Sequence, residues 1–252
     1  MKILLTNDDG IYAEGLCALY EALFSEHEVY IVAPESERSA VGHAITIHYP
    51  LRVNKVKRGK HFWGYAINGT PADCVKLAIY ELVGEVDLVI SGINRGANVG
   101  INILYSGTVS AATEAKILGY SALAVSIDGY EDIDYCFCAN FVADLVWNLK
   151  NLPLKQPFCL NINFPNLSPC SIKGVKIVKQ SKARLIEHFD RRTDLHGKVY
   201  YWQGVEQHTE TDPETDVVAL KQGYITVTPL QYDLTDYEGL NAIKSLKSVL
   251  TV

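Results

Sequence analysis

Short runs that are apolar on both faces alternate with stretches whose apolar residues recur every three or four positions through the first two-thirds of the chain. "KILLT" at residues 2–6 reads as a strand, and residues 14–25 place Leu16, Leu19, Tyr20 and Leu23 at helical spacing. "EVYIVAP", closed by Pro34, is the next strand, which completes a βαβ unit. "TPADCVKLAIYELV" reads as a helix with Thr70 as N-cap and Pro71 at the first helical position. "VDLVIS" is a strand, "TVSAATEAKILG" a helix stopped by Gly119, and "SALAVSI" a strand. A helix over residues 133–150 and the strand "PFCLNINFP" follow. Strands of this kind separated by helices predict a Rossmann-like α/β fold, a mostly parallel sheet covered by helices on both faces.

The pattern changes near residue 166. "VKIVKQSKARLIEHFDRRTDLHGKVYYWQG" alternates like extended chain with a turn near His196-Gly197, "TETDPETD" reads as a polar loop, and "GYITVTPLQYDLTD" as a further strand. Residues 239–249 form a closing helix. With no Gly/Ser linker, low-complexity tract or repeat, residues 1–252 are expected to form a single domain. Its core spans about residues 1–166, and a β-rich C-terminal extension with the terminal helix fills about 167–252.

Composition narrows the function classes. A chain of 252 residues with 48% hydrophobic residues can bury a sizeable core. A formal charge of −6 argues against a large nucleic acid as partner, because nonspecific binding of that kind rests on Lys and Arg replacing counterions. No apolar run is long enough to span a bilayer or form a signal-peptide core, so no membrane partner is expected and the cytoplasm is the expected compartment. The six cysteines are scattered; Cys136-Phe-Cys138 is neither a redox pair nor a zinc knuckle, and all six are expected to be reduced and mostly buried.

Candidate chemistry gathers where the strands end. In an open parallel sheet, loops at the carboxyl edge of the strands share a crevice into which helix N-termini point. "KILLT" delivers Asn7, Asp8, Asp9 and Gly10 there; "EVYIVAP" is followed by Ser36, Ser39 and His43; "VDLVIS" is followed by "GINRGANVG", with Asn94 and Asn98 among glycines. An Asn-Asp-Asp-Gly run taken alone is a good turn former. Together with neutral hydroxyl and amide oxygens, however, two adjacent carboxylates suit a hard cation, magnesium or manganese, which also offsets their mutual repulsion. The glycine run is neither a P-loop nor a dinucleotide fingerprint. Ser106, Gly107 and Thr108 open a helix, where free N–H groups and the helix dipole favour an anion, and beside a divalent cation that anion is phosphate. Asp8 or Asp9 then serves as general base or as nucleophile, while His43 suits a structural or substrate-positioning role, and Arg95 reaches either phosphate or solvent.

"ILLTNDDG", "APESERSAVGHAIT", "INGTPADCV", "SGINRGANVG" and "YSGTVSAATEA", in that order, resemble the signature blocks of the SurE family of metal-dependent 5′-nucleotidases. "TDVVALKQGYITVTPLQYDLT" resembles the family's C-terminal block. The resemblance implies that Asp8, Asp9, Ser39 and Asn94 hold one divalent metal ion. It also implies that Asn98, Ser106, Gly107 and Thr108 surround the phosphate. It implies nucleoside 5′-monophosphates as substrates, with 3′-nucleotides and short polyphosphate as further ones, and a homodimer or homotetramer joined through C-terminal arms. "HGKVYYWQG" fits that expectation, because consecutive Tyr200, Tyr201 and Trp202 in an extended hairpin face both ways and one domain covers only one face. The chain departs from the family pattern at Asn102, where many relatives carry an acidic residue, and at Ala115 and Ser121. The alternative from another class is a non-catalytic nucleotide-binding regulatory module, which needs a helix N-terminus and glycines but not two adjacent acidic residues.

Overall fold

The first strand decides where everything else goes. In the computed structural model, which describes residues 1–149, 156–183, 186–206 and 210–244, β1 (Lys2–Thr6) is completely buried from Ile3 onwards. It is flanked on both sides by parallel neighbours, β2 (Glu28–Pro34) and β5 (Leu88–Arg95). α1 (Glu14–Leu23) lies between β1 and β2 in sequence, and the strands β3 (Val53–Arg58) and β4 (His61–Ile67) with α2 (Pro71–Leu77) lie between β2 and β5. After β5 follow α3 (Gly107–Ile117), β6 (Ser121–Asp128), α4 (Tyr135–Leu149) and β7 (Cys159–Pro165). The chain ends with β8 (Val175–Ile177), β9 (Ile186–Thr193), β10 (Val199–Glu206), α5 (Asp216–Lys221), β11 (Ile225–Pro229) and α6 (Tyr237–Lys244).

Among the described residues, nine strands make one sheet in the order β3-β4-β2-β1-β5-β6-β7-β11-β8, mostly parallel, with β9 and β10 forming a separate antiparallel pair. The chain steps from β1 to β2 in one direction and then to β5 in the other. The carboxyl ends of β1 and β5 therefore flank a topological switch point, the place where such sheets open a crevice. Successive β1 side chains go to opposite faces. Ile3 and Leu5 pack under α1 and α4 with Leu16, Leu19, Val142 and Val146, while Leu4 packs under α2 and α3 with Val75, Ala111 and Ala112. Phe164 is the largest fully buried side chain and meets Phe137 and Phe141 edge-on at 6.2 and 5.3 Å.

The expected α/β architecture is present, and the βαβ opening, the Thr70 cap with Pro71 at the first position and the stop at Gly119 are all found. Thr70 and Asp73 cap one another reciprocally. Several expectations are corrected. The hairpin β3–β4 was not anticipated, because exposed Lys and Arg residues dominate β3, where Val56 alone is buried. The predicted helix after Thr70 is α-helical only to Leu77 and continues as a π turn over Ala78–Leu82. Between the polar loop and the last strand the chain forms α5, and that strand covers five residues rather than fourteen. It pairs with β7 and β8, so the main sheet takes in strands from beyond residue 166. The hairpin turn near His196-Gly197 is confirmed, closed by a bond from Asp194 N–H to the Lys198 carbonyl at 2.9 Å. Residue 150 of the predicted fourth helix and residues 245–249 of the terminal helix lie outside the described residues. All six cysteines are free, but Cys136 and Cys170 are exposed and only Cys74, Cys138 and Cys159 are buried. Among the described residues no helix is long and apolar enough to cross a membrane.

Candidate active site

Asn7 shapes the loop that leaves β1. Its side chain accepts from Gly10 N–H at 3.1 Å and donates to the Gly10 carbonyl at 2.9 Å, a closed turn that points Asp8 and Asp9 into the crevice. Asp8 is 5% exposed. Its carboxylate accepts from the Thr108 hydroxyl and from the Thr108 backbone N–H at the start of α3, so the helix terminus meets it with two donors. Gly107 makes this approach possible: a Cβ there would stand 2.8 Å from Asp8 Cβ and 3.1 Å from Pro71 Cγ. Asp9 Oδ2 accepts from the Arg95 backbone N–H at 3.3 Å, which ties the β1 loop to the end of β5.

The electrostatics of the pair are unbalanced. Burial raises the Asp8 carboxyl above its ordinary range against the pull of its hydrogen bonds. Burial first, and then repulsion from Asp8, raise Asp9 from 3.8 to about 6. Among the described residues no Lys or Arg side chain forms an ion pair with either one. The Arg95 charge lowers Asp9 only in part, so two desolvated carboxylates sharing a site lack enough positive charge to stabilise both ionised. A divalent cation with oxygen ligands fits that deficit; among the described residues no group of three or more His, Cys, Asp and Glu could hold a metal ion, so a cation here would draw on neutral oxygens beside the two carboxylates.

Asn94 and Ser39 arrive from the two neighbouring strands. The β5–β6 register shifts between Ser91 and Asn94, an irregularity that turns the end of β5, and Asn94 Nδ2 donates to the Gly96 carbonyl at 2.7 Å. Ser39 sits in the exposed loop after β2, with its hydroxyl donating to Glu37 at 2.6 Å. That loop is held at several points. Arg38 N–H donates to the Asp8 carbonyl at 2.7 Å, Gly42 N–H to the Tyr105 carbonyl at 2.9 Å, and Thr46 N–H to Asp73 at 3.0 Å. His43 Nε2 lies 2.7 Å from Glu114 of α3, whose other oxygen accepts from Lys76 of α2 at 2.8 Å. Burial pushes the Glu114 carboxyl up, yet its bonds to His43 and Lys76 outweigh this and hold it below the usual range. Ala40, next to Ser39, has φ +55°, an uncommon conformation for a residue with a Cβ that the surrounding contacts sustain.

The structure brings Asp8, Ser39, Asn94, Asn98 and Ser106 to the lining of one cleft of about 570 Å³, with Asp9, Gly107 and Thr108 adjoining Asp8. Two of the expected phosphate residues are engaged elsewhere in the protein. Thr108 is fully buried and holds Asp8, and Asn98 donates through Nδ2 to Ser126 at 2.8 Å while Asn161 and Asn163 bond its backbone. Ser106 caps α3 by accepting from Val109 N–H at 3.1 Å, so that donor is satisfied within the helix. His43 borders a different cavity and acts on this one only through the loop. Sequence reasoning passed over Tyr105, Tyr130 and Gln203, which line the same cleft. It also passed over Asn102 as a lining residue and over Glu114, although a Glu inside an Ala-rich helical stretch was a signal of a buried charge needing a partner.

Comparison with known proteins gives a single answer. A family model described as Survival protein SurE matches residues 3–187. The chain is 51% identical over 245 residues to a protein named 5′-nucleotidase SurE from Syntrophobacter fumaroxidans, covering 96% of this chain and 98% of that protein. A protein of the same name from Syntrophus aciditrophicus is 51% identical over 251 residues, covering 98% and 94%. Among solved structures, the SurE protein from Aquifex aeolicus superposes with a TM-score of 0.85 at 40% identity, covering 98% of this chain and all of that one.

Proposed function

The chain belongs to the SurE family, and on that premise we propose that it is a metal-dependent 5′-nucleotidase, hydrolysing nucleoside 5′-monophosphates to nucleoside and phosphate. The observation that carries this reading is the buried, only partly charge-compensated Asp8–Asp9 pair set against the N-terminus of α3. Asp8, Asp9, Ser39 and Asn94 hold one magnesium or manganese ion. When bound, such an ion polarises the phosphoryl oxygens and lowers the pKa of a water. Ser106 and Gly107 at the start of α3 hold the phosphate, with the helix N-terminus facing the charge that develops on it. Asn98 contributes at the cleft wall, and Thr108 favours the ionised form of Asp8 and aims it. The acidic pair also carries the protic step, as base toward water or as nucleophile toward phosphorus; a phosphoryl-enzyme trapped by acid quench selects the second.

Phosphate release from adenosine 5′-monophosphate with manganese, with and without chelator, tests the reading. Turnover that needs the metal and disappears in Asp8→Asn supports it; nucleotide binding with no phosphate release would instead favour a regulatory module. Nucleoside 3′-monophosphates and short polyphosphate belong to the same assay as further substrates.

The arm supports a homodimer or larger assembly. Phe189, Tyr201 and Trp202 of the β9–β10 hairpin are each about 60% exposed, although aromatics of that size are core or interface residues in most proteins. Light scattering at micromolar concentration checks this, and a monomer would end the idea.

A further inference from the structure

The cleft has more wall than a phosphate needs. Beyond Asp8 and Ser106, its lining continues through Tyr105, Tyr130 and Gln203, and these residues come from three separate parts of the chain. Tyr105 is 54% exposed and Tyr130 74% exposed, yet both are presented by backbone that is tied down.

Tyr105 directly precedes the Ser106 cap of α3. Its N–H donates to the Asn102 carbonyl at 3.0 Å and its own carbonyl accepts from Gly42 at 2.9 Å. Tyr130 stands in the turn after β6, where Gly129 N–H donates to the Ile127 carbonyl at 2.9 Å and Asn166 Nδ2 to the Glu131 carbonyl at 3.0 Å. The hydroxyl end of its ring rests over Gly96: a Cβ on that residue, whose φ is +105°, would come 2.8 Å from the Tyr130 oxygen and 3.2 Å from Cζ. The carbonyl of Gly96 is the one that takes Asn94 Nδ2, so the Tyr130 ring is seated two residues from an expected metal ligand.

A nucleoside monophosphate whose phosphate lies at α3 must extend its sugar and base along the remaining wall. The base is the flat, largely apolar part of that molecule, and the tyrosine rings are the large aromatic surfaces on that wall. The geometry points to Tyr105 and Tyr130 as the nucleoside platform of the site, stacking on the base, with the Gln203 amide of β10 offering one donor and one acceptor direction to its edge. This assignment rests on the nucleotidase reading and deepens it. Every base has a π-face, so stacking accepts purines and pyrimidines alike and makes the enzyme broad toward nucleotides but selective against sugar phosphates that lack a base.

Steady-state kinetics on adenosine, guanosine, uridine and cytidine 5′-monophosphates, with ribose 5-phosphate as the base-free comparison, test the assignment under saturating manganese. Wild type should prefer all four nucleotides over ribose 5-phosphate. Tyr130→Ala should reduce that preference roughly 5- to 150-fold, the range that loss of one stacked aromatic produces, mainly through KM. Tyr105→Ala should act in the same direction, and Tyr130→Phe, which keeps the ring, should restore the preference where Tyr130→Leu does not. A fall of equal size on nucleotides and ribose 5-phosphate, or no fall on nucleotides, would overturn the platform. Wild type turning over ribose 5-phosphate as well as nucleotides would overturn it too while leaving a phosphatase in place. Inactivity toward every substrate with manganese would instead overturn the nucleotidase reading, and the platform with it.

Discussion

The crevice at the end of β1 and the β9–β10 hairpin use polar and apolar residues in opposite ways. At the crevice, charge is buried: Asp8 is 5% exposed and Glu114 4%, each held by donors from α3 or α2. In the hairpin, apolar surface is exposed: Tyr201 and Trp202 face solvent beside Arg191 and Asp190 of the opposite strand. Burying a carboxylate costs stability unless something positive compensates it, and exposing a tryptophan forgoes the gain of removing it from water. The proposed cation and the proposed protein contact each answer one of these mismatches. A deficit of positive charge calls for a cation, and a surplus of apolar surface calls for another protein surface.

The largest effect that sharpens this contrast is at the acidic pair. Asp8→Asn or Asp9→Asn should lower phosphate release on the order of 10²- to 10⁴-fold while circular dichroism stays native, because a single uncharged ligand removes both the cation and the protic group. Near wild-type turnover in either variant would dissolve the contrast at its charged end. The equilibrium counterpart lies in the core. Phe164→Ala should destabilise the fold by about 3–5 kcal/mol in urea unfolding, since a fully buried ring packed on two others leaves a cavity. Trp202→Ala, a larger change of size in the hairpin, should change the unfolding free energy of the isolated chain by less than about 0.5 kcal/mol and show its effect in light scattering instead. A loss comparable with that of Phe164→Ala would mean that the hairpin belongs to the core.

A smaller effect tests how the crevice is held. Glu114→Gln removes the charge that pairs His43 with Lys76 and loosens the loop carrying Ser39, so manganese titration should give roughly tenfold weaker activation, in the range of outer-shell substitutions. Because Glu114 is held below its ordinary value of 4.5, its contribution is complete above that value and is lost as pH falls through the lower folded-state pKa. The acid limb of the wild-type stability profile should therefore be shallower in Glu114→Gln.

Much of this was legible in the sequence, for a physical reason. Strands buried on both faces are continuous apolar runs, so β1, β2, β5, β6 and β7 announced themselves; their ends offered Asp8, Asp9, Ser36, Ser39, His43, Asn94 and Asn98, and the family resemblance picked Asp8, Asp9, Ser39 and Asn94 from among them. The hairpin β3–β4 stayed hidden because an edge strand lined with Lys and Arg carries no such run. The roles of Thr108 and Asn98 stayed hidden as well. Whether a hydroxyl or an amide faces a ligand or braces a neighbour depends on side-chain direction, and sequence position leaves that open; here Thr108 braces Asp8 and Asn98 braces β6. Tyr105 and Tyr130 lie in loops, where no periodicity marks which residues converge.

The central claim is that Asp8 and Asp9 form a destabilised pair completed by a divalent cation, and thermal unfolding of wild type and Asp9→Asn at pH 7, with chelator and with manganese, tests it most directly. Asp9 is raised from 3.8 to about 6, so the folded protein binds the proton more tightly than the unfolded one, and the metal-free wild type should lose stability as pH rises from about 4 to 6. At pH 7 the account predicts that metal-free Asp9→Asn melts higher than metal-free wild type. It further predicts that manganese at a hundredfold its dissociation constant stabilises wild type by about 2.7 kcal/mol and the variant hardly at all. A variant that melts below wild type without metal and gains as much from manganese would contradict it.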